Sequence, residues 1–104
     1  MPTAKGSLSR VNISTIMGRF DLDGDVLTFE ASISPSMPAF TSNDVTLTYD
    51  DVEELTTHYA YTGRIGAEEL SLELANGPTM TGLLDEPGLG VALSVRGKGS
   101  WLAT

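Results

Sequence analysis

A period of two constrains this chain more than any other feature. Leu27, Phe29, Ala31 and Ile33 alternate with Thr28, Glu30 and Ser32, and Leu70, Leu72 and Leu74 alternate with Ser71 and Glu73. Val45, Leu47 and Tyr49 alternate with Thr46 and Thr48, and Val91, Leu93 and Val95 with Ala92 and Ser94. Successive side chains of a β-strand point to opposite faces, so this pattern marks strands buried on one side. Helical spacing is nowhere sustained for three turns. The best helical stretch, "DDVEELTT", places Val52 and Leu55 three apart and suffices for a single turn.

Turn chemistry falls between the alternating runs. Asn76-Gly77-Pro78 is a strong turn signal, Gly63 and Gly66 bracket Arg64-Ile65, and "DEPGLG" from Asp85 to Gly90 reads as another connection. The strands are expected at 8–16, 17–23, 26–33, 45–49, 56–62, 69–75, 79–84 and 91–96. Seven or eight short strands at regular spacing predict an all-β fold, a small antiparallel β-barrel or β-sandwich. The 104 residues make one domain, 1–104, and no internal repeat is evident in them.

The stretch "DLDGD" looks the most chemical. Asp21, Asp23 and Asp25 stand two apart, as the first ligands of a helix–loop–helix calcium site do. That site also needs glycine at its sixth position and glutamate at its twelfth, where this chain has Val26 and Ser32. A hairpin explains the same residues, because Asp23-Gly24 supplies the positive φ angles of a tight primed turn. No metal site is expected there, and no cofactor is called for elsewhere.

Composition removes several classes of function. With no cysteine, the chain can form neither disulfides nor cysteine zinc sites. The formal net charge is −8, unevenly placed. All fourteen carboxylates lie between Asp21 and Glu86, with Arg64 the one base among them, while Lys5, Arg10, Arg19, Arg96 and Lys98 lie outside that span. Nucleic acid and anionic membrane surfaces reward clustered bases and are poor partners for such a field, whereas a cationic protein would be attracted. The start, "MPTAKGSLSRVNIST", has no apolar core of a secretory signal, and no apolar run approaches the ~20 residues of a membrane helix. A soluble, cytoplasmic protein is the expectation.

Few residues suggest catalysis. His58 is the only histidine, in "THYAYTG". On a strand it shares a face with Thr56, Ala60 and Thr62, with Tyr59 and Tyr61 on the other side. As a general base in a barrel cavity it would need an acid such as Asp50 or Glu54 to orient it. No Gly-x-Ser-x-Gly elbow marks a nucleophile. Gly88-x-Gly90 precedes a strand and so lacks the helix N-terminus of a phosphate loop.

Binding is better supported. The segment "SPSMPAFTSND" holds Met37 and Phe40, and Trp101 stands near the C-terminus. These three are the candidate contact residues, because large apolar side chains are costly to leave in water. The acid pairs Asp50-Asp51, Glu53-Glu54, Glu68-Glu69 and Asp85-Glu86 fall at strand ends and would form an acidic rim. The sequence thus points to a non-enzymatic binding or assembly module, homo-oligomeric or bound to a cationic protein. The alternative is a small barrel enzyme or hydrophobic-ligand carrier whose cavity contains His58, Tyr59 and Tyr61, with Asp50 nearby.

Overall fold

A computed structural model describes residues 2–22, 24–34, 36, 38–51, 53, 55, 58–85 and 89–103. Eight strands form: β1 (Thr3–Asn12), β2 (Thr15–Leu22), β3 (Asp25–Ser32), β4 (Thr41–Thr48), β5 (His58–Ile65), β6 (Glu69–Leu74), β7 (Thr79–Leu83) and β8 (Leu93–Ala103). They close into a barrel in the cyclic order β1-β2-β3-β8-β5-β6-β7-β4, every pairing antiparallel. Closure decides between the two expected architectures in favour of the barrel. No helix among the described residues is long and apolar enough to cross a membrane.

Several strand boundaries differ from expectation; β5, expected at 56–62, runs from His58 to Ile65. The expected strand 8–16 divides at a turn over Ile13 and Ser14, and β1 begins at Thr3. Asn12 makes that turn, its Oδ1 accepting from the Ser14 N–H at 3.0 Å and from the Ser14 hydroxyl at 3.1 Å. Val11 and Ile13, which continue an apolar alternation, are exposed. β4 starts at Thr41 instead of 45. β8 begins at Leu93, passes through Gly97 and Gly99, and runs on to Ala103, beyond the expected 91–96.

The order contains a repeat that the sequence does not display. β1, β2 and β3 form a meander and β4 returns beside β1; β5, β6 and β7 form a second meander and β8 returns beside β5. Each half is a Greek key in the spatial order 4-1-2-3. Their registers correspond. Gly6 lies between Phe20 of β2 and Val45 of β4, and Gly63 lies between Leu72 of β6 and Val95 of β8. A Cβ on Gly6 would strike the Arg19 carbonyl oxygen, and one on Gly63 the Ser71 carbonyl oxygen. Both halves therefore need a missing side chain at the same place in the key.

Topology also sorts the connections. The links β2–β3, β4–β5 and β6–β7 emerge at one end of the barrel, and the links β1–β2, β3–β4, β5–β6 and β7–β8 at the other. At the first end Leu22 pairs with Asp25, leaving two residues for the hairpin turn. The Asp21 carboxylate accepts from the Gly24 N–H at 3.0 Å, and Gly24 has a φ of +93°. The aspartates thus serve a hairpin, although Asp23 lies outside the described residues.

Inward residues of all eight strands fill the barrel. Leu8, Ile16, Phe20, Phe29, Leu47, Tyr61, Leu72 and Met80 are almost fully buried. Connections close both mouths: Leu55, at 2% exposure, comes from the β4–β5 link, and Ile33 and Phe40 come from the β3–β4 link. Each such side chain contributes roughly 1.5–3 kcal/mol by leaving water.

Candidate functional site

Strand alternation separates the candidate catalytic residues. His58 opens β5 on the outside of the barrel and is exposed, whereas Tyr61 is buried inside and Tyr59 is half-buried. A cavity holding His58 together with both tyrosines is therefore not formed. Asp50 is exposed in the link after β4, while Glu54 and Thr56 lie outside the described residues. His58 stands opposite Ser100, which in turn stands opposite Glu30. Among the described residues, no group of three or more His, Asp or Glu side chains could hold a metal ion.

The candidate contact residues are also placed differently. Phe40 and Trp101 are each only 6% exposed. Their apolar surface packs in the core and is not offered to a partner. Met37 lies outside the described residues. Trp101 sits on β8 against Phe29, with ring centroids 4.8 Å apart, and near Phe20 at 6.1 Å. Its indole Nε1 is buried with no hydrogen-bond partner among the described residues.

The most distinctive chemistry lies between β3 and β8. These strands pair from Leu27 with Ala103 to Ala31 with Gly99. They meet again at Ser34 and Arg96, whose main chains exchange hydrogen bonds of 2.9 and 3.0 Å. The register is the same on both sides of the gap, so Ser32 and Lys98 should form the missing rung. Side chains replace it. The Ser32 hydroxyl accepts from the Lys98 N–H at 3.2 Å and donates to the Lys98 carbonyl at 3.3 Å. The Ser32 carbonyl instead accepts the Tyr61 phenol at 2.7 Å.

Gly97 makes this substitution fit. It pairs with Tyr61 across β5, and a Cβ there would strike the Ser32 carbonyl oxygen and lie 3.1 Å from the tyrosine ring. Burial pushes the Tyr61 phenol well above its ordinary pKa, because the charged phenolate would lose its hydration. Tyr61 is thus a neutral donor at physiological pH. The sequence held a partial signal for this seam, namely glycine on a strand where a ring must pass.

Outside the seam is a shallow cleft of about 540 Å³, lined by Ser32, Ser34, Thr62, Arg96, Gly97 and Lys98 among others. A second depression of about 540 Å³ adjoins it, sharing Ser34, Thr62 and Arg96 and extending to Ser94. Arg96 and Lys98 are exposed on the outer face of β8, and Arg64 projects from the neighbouring strand opposite Ser94. Among the described residues no ion pair reaches any of these three bases. Five acids, Asp21, Asp25, Asp50, Asp51 and Glu53, belong to the end carrying the β2–β3 and β4–β5 links, and Glu68, Glu69 and Asp85 to the opposite end.

No family model matches the chain, and neither the curated proteins nor the solved structures include one significantly similar to it.

Proposed function

We propose that this protein is a non-enzymatic protein-binding module that works through the outside of its barrel, with its acidic end turned toward a cationic partner. The filled interior carries this reading. Phe20, Phe29, Tyr61, Leu47, Leu72 and Met80 occupy the space in which a carrier would hold a ligand. Sorting of the links supports the choice of end, since Asp21, Asp25, Asp50, Asp51 and Glu53 share it. Clustered like charges steer an oppositely charged partner and raise its association rate.

Calorimetric titration with a lysine-rich peptide at low ionic strength tests this. Saturable binding is expected, and it should weaken steeply as salt rises. Neutralising the end with Asp21→Asn, Asp25→Asn, Asp50→Asn and Asp51→Asn should abolish it. Equal binding by the neutralised protein sinks the proposal.

Self-association is part of the proposal and uses the opposite end. Val11, Ile13, Leu83 and Val91 are 54–60% exposed there, on the β1–β2 and β7–β8 sides. Paired in an oligomer, they would leave water. Sedimentation of the wild type as an oligomer, shifted toward monomer by Ile13→Ser with Val91→Ser, is the expected outcome. A wild type that is monomeric at high concentration removes this part.

A further inference from the structure

We infer that the trough along β8, over the side-chain-bridged seam, is a second binding site, built for an extended acidic peptide. It goes beyond the cationic partner of the acidic end and does not depend on it. The two adjoining depressions form a strip following the strand from Ser94 to Lys98, a shape suited to an extended chain. Arg96 and Lys98 occupy alternate positions on the outer face of β8, so their Cα atoms are separated by two residue rises, about 6.6 Å. Alternate carboxylates of an extended peptide have the same spacing. Arg64 stands on the next strand, opposite Ser94, and continues the positive strip.

Charge distribution strengthens the assignment. The chain has six Lys and Arg side chains against fourteen acids. Half of those bases lie on this one face, and among the described residues none of the three has an ionic partner. Hydroxyls from Ser34 and Thr62 stand beside them and can bond peptide amides or carboxylate oxygens. The opened rung contributes as well. Because Tyr61 and Ser32 replace main-chain bonds between β3 and β8, the strands part here, and the floor of the trough is the Ser32–Lys98 gap. Nucleic acid fits less well, since the net charge of −8 repels a long polyanion while a few carboxylates need only local neutralisation.

The test is amide NMR titration of the whole protein with a blocked peptide bearing glutamate at alternate positions, and with its glutamine counterpart. The expected result is saturable shifts confined to the Ser34, Thr62, Arg96 and Lys98 region. The glutamine peptide should bind at least about tenfold more weakly, the effect of losing one charge-assisted hydrogen bond. Arg96→Gln with Lys98→Gln should lose at least about tenfold in affinity while keeping the wild-type melting temperature, since both side chains are exposed. Arg19→Gln, which removes one positive charge from β2, should leave affinity within about twofold if the site is local. Any of four results overturns the inference. These are shifts elsewhere on the barrel, equal binding by the glutamine peptide, tighter binding of inorganic phosphate or single-stranded DNA than of the peptide, and an equal loss with Arg19→Gln.

Discussion

Tyr61 and Gly97 depend on each other. The phenol reaches the Ser32 carbonyl at 2.7 Å only because no side chain stands on Gly97. Tyr61→Phe deletes the donor and leaves the carbonyl short of a bond, so chemical denaturation should register a loss of roughly 1–3 kcal/mol. Gly97→Ala should cost at least as much, because its methyl would enter the Ser32 carbonyl and overpacking typically costs about 1–3 kcal/mol. The phenol also sets an alkaline limit. Its folded pKa is raised, so the unfolded chain releases this proton first as pH climbs above about 10. The associated stability is complete below that value and declines above it, by up to about 1.4 kcal/mol per pH unit. In Tyr61→Phe the decline in denaturation midpoint between pH 9.5 and 11 should be shallower. The role of Gly97 was only half legible. Gly97 and Gly99 lie beyond the expected strand 91–96, and each makes room for a ring: Tyr61 beneath Gly97, Phe29 against Gly99. Which ring faces which glycine is a matter of register, and register between β8 and two distant strands is not written in local alternation.

At the level of elements, the two Greek keys are joined by the β3–β8 and β4–β7 ladders as well as by the β4–β5 link. The ladders do not need the link to be continuous. Cleavage between Asp51 and Val52, followed by mixing of the two purified fragments, should restore the native far-ultraviolet dichroism. Neither fragment alone should do so, since half a barrel exposes its inner face and two unpaired edges. Recovery of native dichroism by one fragment would mean that the keys fold independently. Strands with clean alternation, such as β3 and β6, were visible in sequence. The first half of β1 was not, because its inner positions Ala4 and Gly6 are small and give little hydrophobic contrast. Gly6 is small because the neighbouring strand's backbone occupies the room for a Cβ, so the packing that stabilises β1 also hides it. The duplication escaped notice for a related reason. The halves share positions such as Val45 and Val95 but fill their layers differently, with Phe20 matched by Leu72.

Closure makes the molecule a single cooperative object, since each strand has two neighbours and opening one ladder breaks the ring. Gly82→Ala, which would press a methyl into the Asp44 carbonyl in the β4–β7 ladder, and Gly97→Ala in the opposite seam should therefore lower the same melting transition. Two transitions in calorimetry would show that the halves come apart separately. Charge is spread unevenly: five acids share the end with the β2–β3 and β4–β5 links, while Arg96 and Lys98 stand along β8. The candidate contact residues were less legible, because an apolar side chain in a predicted loop looks alike whether it seals a mouth, as Phe40 does, or meets a partner. Trp101 is the chain's one tryptophan. It lies on β8 of the second key, in contact with Phe29 of the first. Its emission should be blue-shifted, from an indole screened from water, and should redden when β8 separates from β3. The protein thus carries an intrinsic optical gauge of its own closure, readable without a label.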